Sequence, residues 1–162
     1  MKKDIEIEFI KNLQKLPGKN KQLVNTIMSW ISAPFHVKLY IFIIGLLYWF
    51  GKITKKQIFI LCSSQFVIFT IKYLVRRKRP FQSSSEVELL EPMNFDPFSF
   101  PSGHTLNAFL LSYILRKNIN VNFGILPYLV GLSRIYLGVH YPSDIIGGFL
   151  LTKIILTFGK NN

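Results

Sequence analysis

The stretch SRIYLGVHYPSDIIGGFLLTKIILTF, residues 133–158, closes one apolar segment and supplies another. Pro142 and Ser143 are typical of a helix start, so Asp144 falls in the first turn and His140 lies just before it. A carboxylate bonded to one imidazole nitrogen fixes the tautomer and leaves the other nitrogen free to attack. The alternative is that Asp144 caps the helix and pairs with a histidine, His140, that has only a structural role. Ionisable side chains are costly beside apolar segments, which favours a functional pair.

Four more apolar segments lie upstream, and together the five predict the fold. Hydrophobic residues make up 49% of the 162 residues and aromatic residues 15%, and the mean hydropathy is +0.30. Most segments are shorter than the roughly 20 residues of a spanning helix, so hydropathy alone is also compatible with the buried core of a soluble protein. The small number of charges in the segments favours a bilayer. We predict an all-α integral-membrane helical bundle of five to six transmembrane helices. The segments are Val37–Phe50, Gln57–Val75, Ser102–Leu115, Asn122–Leu137 and Ser143–Phe158.

The N-terminal residues have a different pattern. Ile5–Leu16 mixes apolar and charged residues near helical spacing, which predicts an amphipathic helix lying on a membrane surface. Pro17-Gly18 would end this helix, and a second short apolar helix would end near Pro34. We therefore divide the chain into amphipathic or interfacial helices at residues 1–34 and a transmembrane core at residues 35–162.

Clusters of Lys and Arg fall at alternate junctions, at residues 52–56, 116–117 and 160. With five spans all three lie on one side, which the positive-inside rule makes cytoplasmic. The C-terminus would then be inside, and the N-terminus outside unless the second helix spans. The net charge of +12, from 20 Lys+Arg against 8 Asp+Glu, indicates an anionic partner. Nucleic acid is disfavoured because no soluble basic face is visible.

A basic cluster ends the second apolar segment. Lys72, Arg76 and Arg79 are spaced i, i+4 and i+7, so they would share one face if the helix continued to Pro80. Arg79 suits bidentate contact with a phosphate, and Lys72 suits a point charge. A basic cluster that only stops translocation and binds lipid headgroups is the alternative.

Pro101-Ser102-Gly103-His104 opens the third segment. The start of a helix offers free N–H groups to an anion, Gly103 allows close approach of the backbone, and the Ser102 hydroxyl adds a donor. His104 would stand where it can protonate a leaving oxygen. A capping serine followed by an interfacial histidine is the alternative.

The three clusters belong together because consecutive spans run in opposite directions. The ends of the second and fourth spans then meet the starts of the third and fifth on one face of the membrane. Arg134, at the end of the fourth span, joins the same group. The connection Phe81–Pro101, which carries four acidic residues, is expected to be an exposed loop.

Together the motifs resemble the signature of the type 2 phosphatidic acid phosphatase superfamily, which includes lipid phosphate phosphatases and vanadium haloperoxidases. The N-terminal third is similar to that of small bacterial members. No functional position departs from the pattern. The matching motifs are Lys72-x6-Arg79-Pro80, Pro101-Ser102-Gly103-His104 and Ser133-Arg134-x5-His140-x3-Asp144.

The resemblance implies a role for each matched residue. His140 would be the nucleophile that forms a phosphohistidine, Asp144 would orient it, and His104 would protonate the leaving lipid oxygen. No cofactor and no metal are implied, because the basic residues would take the transition-state charge, and no metal-ligand spacing is visible near the site. The phosphate-binding residues would be Lys72, Arg79, Ser102, Gly103 and Arg134.

The implied function is an integral-membrane lipid phosphatase whose site faces the periplasmic or extracellular side of a bacterial inner membrane. Its partners would be the membrane and a phospholipid or polyprenyl phosphate. Undecaprenyl pyrophosphate, or a broad specificity, is favoured over phosphatidylglycerol phosphate or the 1-phosphate of lipid A. The alternative is a non-catalytic anionic-lipid-binding membrane protein, which would not need His140 and Asp144. A haloperoxidase is disfavoured because peroxide chemistry does not require a bilayer.

Overall fold

The computed structural model describes residues 2–91 and 96–160. Within these ranges the regular secondary structure is helical, apart from one isolated β-bridge between Lys78 and Phe98. The all-α prediction is confirmed. Two short 3₁₀ turns, Gly18–Asn20 and Ala33–Phe35, flank the second helix. The helices in the described ranges are α1 (Lys2–Lys15), α2 (Lys21–Ser32), α3 (Val37–Trp49), α4 (Lys55–Val75), α5 (Pro80–Ser83), α6 (Gly103–Ile119), α7 (Leu126–Tyr136) and α8 (Pro142–Lys160).

Helix α6 forms the centre of the bundle because α4, α7 and α8 all pack against it. Eight of its 17 residues are buried, whereas α4 buries four of 21. Leu106 and Leu110 of α6 are fully buried, together with Val130 of α7 and Tyr40 of α3. The residues at the start of α6 are therefore fixed by packing on several sides.

The outward surface of the bundle is apolar. Phe59, Phe66 and Leu74 of α4 are each more than 70% exposed, and such a surface suits acyl chains rather than water. By length and composition α4 and α8 can cross a membrane, and a third span results if Gly18–Phe35 and Val37–Trp49, bent by 53°, count as one. The number of five to six transmembrane helices stays a prediction.

Helix α1 is attached to the bundle by a single side. Ile10 and Gln14 are buried, and the Gln14 amide donates to the carbonyls of Tyr136 and Glu88, both at 2.8 Å. The apolar residues on the other side, including Phe9, are exposed, as expected of a helix that also touches a membrane surface. The division at residues 34 and 35 stays a prediction.

The end of α4 differs from the sequence prediction. The helix stops at Val75, and Arg76 adopts the left-handed conformation with φ of 51°, a common helix termination. Arg79 is extended with ψ of 157°, because the following proline disfavours helix at this position. Lys72, Arg76 and Arg79 therefore do not share a helical face, and Arg76 is exposed.

The bundle has two chemically distinct ends. At one end, the Asn118 amide near the end of α6 donates to the Lys52 carbonyl and to Gln57, both at 2.8 Å. This brings two of the basic junctions together. At the other end, the Ser102 N–H donates to the Asp144 carbonyl at 3.1 Å, which ties the start of α6 to the start of α8.

Candidate active site

A cavity of about 650 Å³ opens at the end of the bundle where α4 and α7 finish and α6 begins. Asp144 and Ser102, which are fully buried, lie behind its wall. The remaining predicted site residues come together on its lining, and these are Lys72, Arg79, Gly103, His104, Arg134 and His140.

His140 lies in the segment between α7 and α8 and is 2% exposed. Its Nδ1 faces Asp144 Oδ2 at 3.4 Å, and its Nε2 lies 3.5 Å from the Arg79 guanidinium, on the cavity side. Burial lowers the pKa of His140 well below its usual value, and the nearby charges of Arg79, Lys72 and Arg134 act in the same direction. These effects favour the neutral imidazole, the form that an attacking nitrogen requires.

Three buried cations surround the His140 Nε2 side. Lys72, near the end of α4, donates to the Phe98 carbonyl at 2.8 Å. Arg79 donates through Nη1 to the Val139 carbonyl at 2.8 Å, and Arg134 donates through Nη1 to Ser32 Oγ at 2.9 Å. Each of the three residues is 5% exposed or less. Positive charge held in so little water attracts an anion strongly.

Two carboxylates from the connection between α5 and α6 form ion pairs with these cations. Asp96 Oδ2 lies 2.7 Å from Lys72 Nζ and 3.5 Å from Arg79 Nη2, and Glu91 pairs with Arg134. Buried charges are costly without partners, which explains why the acidic residues fold inward. A phosphate that binds the same nitrogens would compete with these carboxylates.

In its described part, the connection is only partly the exposed loop that the sequence suggests: Ser85, Glu86 and Glu88 are exposed, but other residues fold inward. Val87 is 4% exposed and Ser99 is fully buried, and the Ser99 N–H donates to the Arg77 carbonyl at 2.9 Å. Inward ion pairs override the local polar composition, and they are long-range contacts that composition does not encode.

At the start of α6, Ser102 acts as the helix cap. Its Oγ accepts from the Thr105 N–H at 3.4 Å and from the Thr105 hydroxyl at 3.0 Å. Its contact with a phosphate stays a prediction. A β-carbon on Gly103 would lie 3.6 Å from Ile68, so packing alone does not require glycine there.

His104 lies on the cavity wall in the first turn of α6. Its ring meets that of His36 edge to face, with centroids 5.9 Å apart. His36 also lines the cavity, and it belongs to no motif, so the sequence offered no reason to select it.

Arg134 carries a donor that no described residue uses. Within residues 2–91 and 96–160 its buried Nε–H has no hydrogen-bond partner, although orphaned buried donors are rare. A phosphoryl oxygen in the cavity would supply the missing acceptor.

The residues that could hold a metal ion do not cluster. In residues 2–91 and 96–160, no group of three or more His, Cys, Asp or Glu side chains is close enough to form a metal site. The absence of a metal from the reaction stays a prediction.

A buried His–Asp pair beside three buried cations, in a bundle of apolar helices, defines a membrane enzyme suited to phosphoryl transfer. The family model described as "PAP2 superfamily" matches residues 53–160 of this chain. The chain therefore belongs to the PAP2 superfamily, and it is a multi-pass membrane phosphatase.

Curated relatives carry related names. An undecaprenyl-diphosphatase from Sulfolobus acidocaldarius is 34% identical over 155 residues, covering 90% of this chain and 74% of that protein. Phosphatidylglycerophosphatase B from Bacillus subtilis is 38% identical over 77 residues, covering 39% of this chain and 38% of that protein. The second match is thus confined to part of both proteins.

Two solved structures share the fold. The transmembrane PAP2 type phosphatidylglycerolphosphate phosphatase from Bacillus subtilis has a TM-score of 0.73 at 24% identity, covering 96% of this chain and 83% of that one. LpxE from Aquifex aeolicus has a TM-score of 0.72 at 23% identity, covering 96% and 94%. At this level of identity the likeness establishes the fold.

Proposed function

We propose that this lipid phosphatase removes the terminal phosphate of a polyprenyl diphosphate or a related lipid phosphate, with His140 as the nucleophile and without a metal ion. The orientation of His140 carries the proposal. Its Nε2 points toward the buried cations, and its Nδ1 points toward Asp144. An attacking nitrogen and an anion site thus share one cavity.

The reaction proceeds in two steps. His140 Nε2 forms a bond to the terminal phosphorus while the bond from phosphorus to the bridging oxygen breaks, and His104 gives its proton to that oxygen. Water then loses a proton to His104 and attacks the phosphohistidine, which releases inorganic phosphate and neutral His140. Lys72, Arg79 and Arg134 stabilise the phosphoryl oxygens in both steps.

The remainder of the cavity suits a lipid. Beyond the basic residues it is lined by Phe35, Val37, Leu39, Ile68 and Phe69, from the α2–α3 junction and α4. An apolar tail placed there would leave toward the bilayer while the phosphate stays with the cations. The name of a relative that covers 90% of this chain makes undecaprenyl diphosphate the first substrate to test.

The site is proposed to face the outside of the cell membrane. Support comes from the basic junctions at the opposite end of the bundle, where Lys52 and Asn118 meet. Such clusters remain on the cytoplasmic side.

The test is phosphate release by purified protein in excess EDTA, from undecaprenyl diphosphate, phosphatidylglycerol phosphate and lipid A 1-phosphate. We expect the first to give the highest kcat/KM, with inhibition by vanadate. Release that requires an added divalent ion would contradict the metal-free reaction. Binding of all three lipids with no release from any would contradict the enzyme and leave a lipid-binding protein.

A further inference from the structure

Arg77 lies outside the three motifs, yet it holds the residue that orients His140. Its Nη1 donates to Asp144 Oδ1 at 2.7 Å and to Ser143 Oγ at 2.6 Å. Its guanidinium carbon lies 3.8 Å from the centre of the Tyr141 ring. Three residues at or just before the start of α8, Tyr141, Ser143 and Asp144, are thus in contact with one side chain.

Glu6 of α1 holds Arg77 from the other side. Its Oε2 accepts from Arg77 Nη2 at 2.8 Å, and its Oε1 accepts from the Ser143 N–H at 2.7 Å. The second bond satisfies a free N–H at the start of α8, where negative charge is also favoured by the helix dipole. The N-terminal helix is therefore bonded to the segment that carries Asp144.

The two oxygens of Asp144 have separate partners. Oδ1 accepts from Arg77, whereas Oδ2 accepts from the Tyr141 N–H at 2.8 Å and faces His140 Nδ1. The Arg77 contact therefore fixes the rotation of the carboxylate, and with it the direction in which Oδ2 points. Arg77 and Glu6 are not among the residues that line the cavity, so they act on the reaction indirectly, through Asp144 and the start of α8 that carries it.

We infer that Glu6 and Arg77 form a positioning relay that sets the orientation of Asp144 and hence of His140, an inference that rests on the proposed function. Helix α1 is then a supporting part of the active site as well as a membrane-surface helix. Without the relay, Asp144 loses one of its charged partners while the phosphate-binding cations keep theirs. The relay should therefore affect kcat and leave substrate affinity unchanged.

The first experiment compares Arg77→Ala with Arg76→Ala in the full chain. We expect Arg77→Ala to lower kcat by about 10- to 100-fold, the range found for groups that orient metal-binding histidines, with KM and the vanadate inhibition constant within about twofold of wild type. Arg77→Lys should restore part of kcat, because one ammonium keeps the charge but does not reproduce the guanidinium fork. The Arg76 side chain is exposed and donates to the nearby Tyr73 carbonyl, so Arg76→Ala should behave as wild type.

The second experiment is a double-variant cycle with Glu6→Gln. Because Glu6 acts through Arg77, its substitution should lower kcat less than Arg77→Ala does and should have no further effect in the Arg77→Ala background. Glu8→Gln, an exposed neighbour on the same helix, is the matched control. The Glu6→Gln variant also tests the relay if Arg77→Ala does not fold, because it keeps the arginine.

The outcomes separate the relay from the function. Wild-type kcat in both Arg77→Ala and Glu6→Gln, with His140→Ala inactive, overturns the relay and leaves the phosphatase intact. A rise in KM or loss of vanadate inhibition that matches the fall in kcat also overturns it, because a relay acts on orientation alone. Full activity of His140→Ala would instead overturn the proposed function.

Discussion

At the scale of single residues, carboxylates of the protein already pair with the cations of the proposed phosphate site. Asp96 and Glu91 contact the cations to which phosphoryl oxygens are proposed to bind. This arrangement keeps three buried positive charges paired before the lipid arrives. It also sets a competition between carboxylate and phosphate, which is most direct at Lys72, where Asp96 lies 2.7 Å from Nζ.

The competition predicts that Asp96→Asn binds vanadate more tightly than the wild type. The neutral amide removes a negative charge 2.7 Å from Lys72 Nζ, so an anion meets a more positive site. We expect the inhibition constant to fall at least about fivefold, which corresponds to ~1 kcal/mol. Glu86→Gln is the control, since Glu86 belongs to the same connection but pairs with Lys11 away from the cavity. Weaker vanadate binding in Asp96→Asn would show that the carboxylate organises the cations instead of competing.

The motif residues could be selected from the sequence because each stands at a span end with a recognisable neighbour. Arg77 could not, because Arg76, Arg77 and Lys78 are consecutive cations and only the tertiary contact with Asp144 distinguishes one of them. Glu6 could not be selected from the sequence either, because its partner Arg77 lies 71 residues away along the chain.

At the scale of helices, two glycines let α8 approach the start of α6. A β-carbon on Gly148 would lie 2.7 Å from the Ser102 carbonyl oxygen, and one on Gly147 would lie 2.5 Å from the Phe100 ring. Both distances are too short for real contacts, so the close approach depends on the missing side chains. Asp144 lies on the same helix, one turn earlier.

Gly148→Ala should therefore push α8 away from Ser102 and move Asp144 relative to His140. We expect kcat to fall by up to about 10²-fold, the loss that a misplacement near 1 Å can cause, and the protein to unfold at lower temperature in detergent. Gly45→Ala on α3 is the control, because its β-carbon would meet nothing within 4 Å. Wild-type kcat in Gly148→Ala would contradict the role of this close approach.

The apolar segments predicted the helices closely, as Ser143–Phe158 against the observed α8 (Pro142–Lys160) shows. Apolar runs fix the length of such helices, so their positions can be read locally. The end of α4 and the inward fold of the α5–α6 connection could not be predicted in this way. Both depend on contacts with distant residues, among them the pairing of Asp96 with Lys72.

At the scale of the whole molecule, the two ends of the bundle differ in chemistry. One end carries the cavity, and the other carries basic junctions joined by Asn118. A membrane that sorts the ends by the positive-inside rule would place the cavity outside. The protein would then act on lipid phosphates at the outer surface.

This orientation predicts opposite labelling of the two ends in intact cells. In a Cys62→Ser background, which removes the chain's one cysteine, Ser85→Cys should react with a membrane-impermeant maleimide. Val121→Cys, exposed beyond the end of α6, should react only after the membrane is permeabilised. Labelling of position 121 but not 85 in intact cells would reverse the orientation.

Transfer of the phosphoryl group to His140 is the central step of the proposed reaction. The measurement that tests it is an alkaline quench of the protein during turnover of a lipid diphosphate radiolabelled at the terminal phosphate, in excess EDTA. We expect alkali-stable, acid-labile label on the peptide that contains His140, and neither label nor phosphate release in His140→Ala. Steady turnover with no label on that peptide, or turnover by His140→Ala, would contradict it.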